Sequence, residues 1–288
     1  MGRVHAVSDP KTRRMALSGL LGVAGAVLLT GGAPPAPIGA GLSAAMRVPA
    51  APAPPAMPGG TVVRGERSEV IGPPGADRGR LAGIAAVADR AARTVAGVWG
   101  PTRAVIEVPA DTAQAARLAG TTALEGLAAV ALADRVVIVP DGFARLSPAG
   151  RAVVLTHELT HVATGAALGT GLPIWLTEGF ADYVGYRDSG IPVRTAAAEL
   201  ADEVRAGRLP RELPSRDDFR PGGPRVPQAY EEAWLACRYI AGRYGERALV
   251  ALYRRALRDG LPGALAALGL TTASLTAHWR AHLAAELR

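Results

Sequence analysis

Two histidines flank a glutamate in the segment His157-Glu158-Leu159-Thr160-His161. Residues four apart in a helix lie on one face, so the neutral ring nitrogens of His157 and His161 can bind one Zn²⁺ at about 2.0 to 2.1 Å. Glu158 lies about 100° around the helix from His157, where it can accept a proton from a water on that metal. This spacing predicts a hydrolytic metal site; two ordinary histidines brought together by chance are the alternative.

The residues around this motif predict the helix that the motif requires. Ser147 is suited to cap a helix, and Pro148 is suited to its first position. Apolar residues then recur at spacings of four, three and four, as on a helix with one face in the core: Leu155, Leu159, Val162 and Ala166. Both histidines and the glutamate therefore belong to one rigid element.

A catalytic zinc ion needs three protein ligands and one open position for water. A second helix is predicted to begin near Pro173, and it carries Glu178 and Asp182 four residues apart on one face. We expect Glu178 to be the third ligand. We expect Asp182 to accept the other ring N–H of one histidine and so to orient it, the alternative being a solvated acid on an exposed face. Gly179 would let the two helices approach closely, the alternative being an incidental glycine in a Gly-rich chain.

The first motif and the downstream segment Trp175–Tyr183 together resemble the gluzincin zinc metallopeptidases, and most closely the compact peptidase MA-like domains. That superfamily includes the thermolysins and the zinc aminopeptidases. The resemblance implies a hydrolase, with an endopeptidase or oligopeptidase favoured over an aminopeptidase because the sequence has no Gly-x-Met-Glu-Asn-like segment to hold a free amine. It also implies roles for five residues: zinc ligation by His157, His161 and Glu178, general base and acid catalysis by Glu158, and support of a ligand histidine by Asp182.

A donor to the transition-state oxyanion would lie further downstream. The stretch from Val226 to Trp234 resembles the start of the family helix whose tyrosine donates its hydroxyl to the oxyanion, which makes Tyr230 the candidate. Tyr230, Trp234, Cys237 and Ala241 also recur at spacings of four, three and four, as on a helix face in the core. Both interpretations of Tyr230 stay open at this point.

The resemblance implies hydrolysis of peptide bonds in a peptide or protein substrate. Zn²⁺ lowers the pKa of its water, and Glu158 receives the proton and returns it to the leaving amine. Because the ligand imidazoles must be neutral, zinc affinity and activity should fall together as the pH drops through the histidine range. A second hypothesis is a non-catalytic zinc-bound module that binds peptides or envelope components. The intact Glu158 favours the enzyme, because a structural site needs no base.

The N-terminal part of the sequence has the pattern of an export segment. The basic stretch 11–14 precedes a charge-free, largely apolar run over 15–30, so residues 1–32 are predicted to be an export signal or a membrane anchor. Residues 33–76 are rich in Ala, Pro and Gly and are predicted to be an extended linker. We therefore expect an extracytoplasmic protein, secreted or membrane-anchored, with one domain over 77–288.

Within that domain the pattern of elements predicts an α+β fold. Helix, strand and helix are expected over 80–97, 104–108 and 112–118, followed by a weak Ala-rich stretch, a strand over 135–139 and helices nearly to the end. The resemblance implies that this last strand is a sheet edge at which substrate backbone pairs, a buried central strand being the alternative. The expected architecture is a small N-terminal sheet subdomain followed by a mostly α-helical one, with zinc in the cleft between them.

Charge and cysteine content narrow the functional classes. The formal net charge is +7, but Lys11 is the only lysine and aromatic residues make up only 5% of the chain. Since the arginines are scattered rather than clustered with aromatic residues, nucleic-acid binding is not predicted. The lone cysteine, Cys237, cannot form an internal disulfide and is expected to be a small buried hydrophobe on a helix.

Overall fold

The computed structural model describes residues 57–288. The predicted export segment, residues 1–32, lies outside the described residues, and so does the linker up to residue 56. From residue 57 onward, no helix has the length and apolar character that crossing a membrane would require.

Five short strands form one sheet in the described region, in the spatial order β1-β2-β3-β5-β4. Strands β2, β3 and β5 are parallel neighbours, whereas each outer strand runs antiparallel to the strand beside it. The edges of this sheet are therefore β1 and β4. The strands are β1 (Thr61–Arg64), β2 (Ser68–Gly72), β3 (Ala104–Glu107), β4 (Ala129–Ala131) and β5 (Val136–Ile138).

Apolar side chains cover both faces of the interior strands, as is typical of parallel strands packed between helices. Val136 and Ile138 of β5 belong to the main core, which includes the buried face of helix α1 (Arg78–Val98). Val137 faces the other way and packs in a smaller cluster with Ala115 of helix α2 (Thr112–Ala119). The alternating direction of side chains along β5 thus divides the apolar interior into two layers.

The sheet begins earlier in the chain than composition predicted. Strands β1 and β2 lie inside the segment 33–76 that we expected to be a linker, so the folded region starts before residue 77. The dense run of prolines ends at Pro58, and the β-branched residues after it are free to pair. The turn between the two strands is tied to α1, because Asp89 accepts the backbone N–H groups of Glu66 and Arg67 at 3.0 and 2.8 Å.

The sheet edge is also formed by a different strand from the one expected. The strand predicted over 135–139 is β5, which pairs on both sides, so its assignment as an edge is wrong and the central-strand alternative is correct. The edge strand beside β5 is β4, which comes from the weak Ala-rich stretch. Two of its three residues are alanines, which have little β propensity of their own, and pairing with β5 determines the conformation of this strand.

The rest of the described chain is mostly helical, so the coarse prediction of a small N-terminal sheet followed by a helical part is confirmed. Two short 3₁₀ helices, Ala166–Leu168 and Arg216–Phe219, interrupt the series of α-helices. The α-helix that spans Glu246–Ala266 changes direction at Gly260, where φ is 77°. The helices are α3 (Pro140–Arg145), α4 (Pro148–Thr164), α5 (Ile174–Tyr186), α6 (Val193–Ala196), α7 (Ala198–Arg205), α8 (Val226–Tyr244), α9 (Glu246–Ala266) and α10 (Thr272–Leu287).

Helix α5 packs between α4 and α8 and is buried on nearly all sides. A Cβ atom on Gly179 would lie 2.2 Å from the carbonyl oxygen of Ala233 in α8. A Cβ atom on Gly185 would lie 3.1 Å from the carbonyl oxygen of Val153 in α4. We had expected Gly179 to permit close contact between α5 and α4. It instead permits close contact between α5 and α8, and Gly185 permits the contact with α4.

Candidate metal centre

Helix α4 holds His157 and His161 in its buried half. The Ser147 hydroxyl accepts a backbone N–H of the first turn at 3.1 Å, and Gly165 ends the helix in the left-handed conformation with φ of 74°. Between these ends, both histidines and Glu158 are no more than 2% exposed. Helix caps and apolar packing therefore fix the orientation of all three side chains.

Three donor atoms from α4 and α5 converge. Nε2 of His157 and Nε2 of His161 lie 3.0 Å apart, and Oε2 of Glu178 lies 3.4 Å from the first and 3.3 Å from the second. Tetrahedral ligands at about 2.1 Å from one ion are separated by about 3.4 Å, so this triangle has the size that a metal ion requires. Across residues 57–288, it is the one group of His, Cys, Asp and Glu found with donor atoms arranged to hold an ion.

Asp182 lies one turn after Glu178 on α5 and contacts the first histidine. Its Oδ1 is 2.7 Å from Nδ1 of His157, and its exposure of 4% rules out the alternative of a solvated acid. Because a carboxylate only accepts, the ring donates Nδ1–H and keeps a lone pair on Nε2. Nδ1 of His161 has no hydrogen-bond partner among the residues that the structure describes.

Burial and nearby charge oppose each other at the donor atoms. Burial disfavours a charged ring at His157, but the charge of Asp182 and hydrogen bonds to Asp182 and Glu178 outweigh it and raise the pKa of His157 well above its usual value. Burial also disfavours ionised Glu178, but the charge of His161 and the two imidazoles beside the carboxylate lower its pKa to about 2. The surroundings therefore stabilise a positive charge between the donors.

The two carboxyl oxygens of Glu158 have different environments. Oε2 accepts the backbone N–H of Ala131, in the edge strand β4, at 2.8 Å. Oε1 is buried and has no hydrogen-bond partner within the described part of the chain. Burial raises the pKa of Glu158 to about 8; His157 opposes this rise and Glu178 adds to it. The edge strand thus fixes one oxygen, and the other is available for a proton.

The site fits a bound metal ion. Two imidazole lone pairs 3.0 Å apart repel each other unless a proton or a cation lies between them. Oε1 of Glu178 is buried without a hydrogen-bond partner in the region from residue 57 onward, which is costly for a carboxylate that binds nothing. A tetrahedral ion on three protein donors keeps one position for water or substrate. The buried His157, His161 and Glu178 side chains can therefore hold a metal ion.

Tyr230 lies in the wall of a neighbouring cleft. It is 4% exposed, and its ring packs edge to face on Phe219 with centroids 4.9 Å apart. The cleft has a volume of about 630 Å³ and extends to Leu127, just before β4. Trp234 and Cys237, on the same helix face, are also buried, which supports a core role for this stripe. A role at the oxyanion stays a prediction.

Two features of the site were not predicted from the sequence. The N–H of Ala131 is a backbone donor, so no residue type marks it. Arg216 lines the same small cavity as Glu178, although many residues separate them in the chain. The pattern of Ser215 followed three residues later by Asp218 is that of a capping box, and it could have located the 3₁₀ helix that begins at Arg216.

Comparisons with protein-family models, with curated proteins and with solved structures gave no match for this chain. The resemblance to gluzincins therefore stays a hypothesis that depends on the two motifs and their spacing.

Proposed function

We propose that this protein is a zinc-dependent metallopeptidase of the gluzincin type, with Glu158 as its general base. One observation carries the proposal. The side chains of His157, His161 and Glu178, here called the metal group, lie beside the buried Glu158, whose Oε1 has no hydrogen-bond partner within residues 57–288. Structural zinc sites are closed by four protein ligands, whereas catalytic sites keep one position open. An open site next to a base supports hydrolysis.

Zinc is the ion that suits this donor set best. Two imidazole nitrogens and one carboxylate oxygen recur in catalytic zinc sites, whereas magnesium and calcium prefer sites made of oxygen. When bound, a zinc ion supplies a water of lowered pKa and polarises the substrate carbonyl. His157, His161 and Glu178 would hold it.

Glu158 carries out the proton transfers in this proposal. Its Oε1 accepts the proton of the attacking water and later gives it to the leaving amine, while the Ala131 N–H fixes Oε2. Burial is the largest of the effects that together raise the pKa of Glu158 to about 8, so a cation between the neighbouring donors is needed to favour the ionised base. Asp182 keeps His157 in the tautomer that binds metal through Nε2. Tyr230 is our candidate donor to the oxyanion.

An extended peptide is the substrate that fits the sheet edge. Ala128 and Leu132 hydrogen-bond to β5, and because bonding alternates along an antiparallel strand, the N–H and C=O groups of Ala129 and Ala131 face outward. Glu158 takes the Ala131 N–H and Ala129 is fully buried, so the carbonyl of the part-exposed Ala131 is the outward group that remains for substrate backbone in β-augmentation. This pairing would place a peptide carbonyl beside Glu158, and the cleft next to β4 would receive neighbouring residues.

A non-catalytic zinc-bound module that binds peptides or envelope components is the second candidate. The apolar walls of the 630 Å³ cleft, which include Phe219 and Val226, favour binding whether or not cleavage follows. Residues 1–32 lead us to place either function outside the cytoplasm, secreted or anchored through that segment. We expect neither candidate to have nucleic acid as a partner.

The test compares the parent protein with Glu158→Gln, because glutamine keeps an acceptor oxygen for the Ala131 N–H. Zinc content and cleavage of a mixed peptide library are measured for both, with Glu212→Gln as an exposed control. We expect equal zinc in all three proteins and a loss of about 100-fold or more in cleavage for Glu158→Gln alone. Zinc without cleavage in any protein favours the binding module, and cleavage that persists in Glu158→Gln removes that residue from its role.

A further inference from the structure

A small second cavity beside the metal group contains an arginine. It has a volume of about 30 Å³ and is lined by Glu178 and Thr177 of α5, by Arg216, and by the segment between α4 and α5. Its lining residues do not overlap with those of the 630 Å³ cleft. Because Glu178 belongs to the metal group, this cavity borders one of the three residues that would hold the ion.

The guanidinium of Arg216 has no hydrogen bond or ion pair with any of the residues that the structure describes. The two acids that follow it are engaged elsewhere. Asp217 pairs with Arg220 at 2.8 Å, and Asp218 accepts the N–H and the hydroxyl of Ser215 at 2.8 and 2.7 Å. Arg216 is exposed, so solvent screens its charge, and its guanidinium is available to an anionic ligand at the mouth of this cavity.

The element that carries Arg216 is fixed at both ends. The capping box between Ser215 and Asp218 closes the start of the 3₁₀ helix. At the other end, Phe219 is buried and packs edge to face on Tyr230 of α8. The backbone of Arg216 is thus held in place, and a ligand has to order only the side chain.

We propose that Arg216 binds a carboxylate of the substrate and makes the site selective for peptides that carry one near the scissile bond. The inference rests on the proposed peptide site. A guanidinium presents two parallel N–H groups that match the two oxygens of a carboxylate. Glu158, Glu178 and Asp182 already place three carboxyl groups at the site, so an anionic group of the substrate needs a compensating cation in order to enter.

The size of the cavity limits what can bind there. About 10 to 15 Å³ of such volume holds one water molecule, so a cavity of about 30 Å³ has room for a group of a few heavy atoms, such as a carboxylate, and not for a large side chain. Two parts of a peptide can supply this group. The C-terminal carboxylate would make the protein a carboxypeptidase, whereas an Asp or Glu side chain would make it an acid-selective endopeptidase.

Four peptides of equal length distinguish these sources, with a free or amidated C-terminus combined with aspartate or asparagine at every interior acidic position. Binding is measured by calorimetry on the zinc-loaded Glu158→Gln protein, and cleavage is measured on the protein with Glu158 intact. Each background also carries Arg216→Ala, Arg216→Lys or Arg211→Ala. Arg211 is an exposed arginine five residues earlier that does not line the cavity.

We expect Arg216→Ala to weaken binding of the preferred carboxylate peptide about tenfold or more. Binding of the peptide that has no carboxylate should not change. The affinity of Arg216→Lys for the carboxylate peptide should lie between those of the parent and Arg216→Ala, and Arg211→Ala should bind it as the parent does. No binding of any peptide, no preference for a carboxylate, or equal selectivity in Arg216→Ala overturns the inference.

The cleavage measurements distinguish a failure of the carboxylate-binding role of Arg216 from a failure of the proposed peptidase function. Cleavage without carboxylate selectivity refutes the role of Arg216 and leaves the peptidase proposal intact. Selective binding through Arg216 without cleavage refutes the peptidase and supports Arg216 as a determinant of peptide binding.

Discussion

Replacing Gly179 with alanine should weaken both the fold and the metal group. The new Cβ would lie 2.2 Å from the carbonyl oxygen of Ala233 and 2.5 Å from its carbonyl carbon. Ala233 lies in the middle of α8, where its carbonyl cannot move alone. Helices α5 and α8 must therefore separate by roughly 1 Å to remove the overlap, in an interior that is close-packed.

The expected loss of stability follows from two opposing effects. Overpacking costs about 1 to 3 kcal/mol, and a clash with backbone lies at the upper end of that range. The higher helix propensity of alanine returns up to about 1 kcal/mol, so the net loss is about 2 kcal/mol. For a domain of this size, the Tm should fall by about 4 to 8 °C. Because Glu178 is the preceding residue, zinc affinity should also fall about tenfold.

Calorimetric unfolding measures the first effect, and competition with a zinc chelator measures the second. Gly242→Ala is the matched control, since Gly242 lies in α8 and a Cβ there would have no atom within 4 Å. That control should stabilise the protein by about 0.5 to 1 kcal/mol. A Gly179→Ala protein that melts at or above Gly242→Ala would refute the close contact between α5 and α8.

Three further predictions concern buried charges. Asp182→Asn should lower zinc affinity about 10- to 100-fold, because the amide is a poor acceptor for the His157 ring N–H; unchanged affinity in a chelator titration would remove that role. The zinc affinity of the parent protein should fall as the pH decreases, beginning above pH 6.5. The charge of Asp182 outweighs burial and raises the pKa of His157, and the proton on His157 must leave before a metal ion binds. A constant zinc affinity from pH 8 to pH 5 would contradict this prediction. Burial and Glu199 raise the pKa of Glu231 well above 4.5, so the folded state holds a proton that the unfolded state releases. The stability that this group contributes to the fold is therefore fully present below about pH 4.5 and is lost as the pH rises through the raised pKa. Because Glu231→Gln keeps an acceptor for the Leu200 N–H, this variant should raise the Tm at pH 8 and not at pH 4. Calorimetry that shows the gain in Tm at pH 4 instead would contradict the predicted direction of this pH dependence.

The elements that carry the metal group could be predicted from the sequence because their signals are local. The cap at Ser147 and the apolar spacing after it defined α4 within one stretch of chain. Pro173 marked the start of α5, and the spacing of Glu178 and Asp182 put both on one face. Convergence of the two helices also needed the resemblance, because helical periodicity does not reveal which helices pack together.

Features that depend on contacts between distant segments could not be predicted. Strands β1 and β2 follow a proline-rich stretch whose composition obscured them, and their position depends on pairing with β3 and on the contact between their turn and Asp89. Strand β4 has only three residues, two of them alanines, and pairing with β5 defines it as the edge. The contact of Gly179 with α8 rather than α4, and the position of Arg216 beside Glu178, likewise depend on tertiary packing.

The coordination of zinc in the loaded protein tests the central claim most directly. A crystal structure with anomalous data at the zinc edge identifies each donor, and X-ray absorption in solution counts them. We predict one ion bound by Nε2 of His157, Nε2 of His161 and a carboxylate oxygen of Glu178, with an exchangeable water as the remaining ligand. A fourth protein donor, a Glu178 carboxylate that points away from the histidines, or the lack of stoichiometric zinc would contradict it.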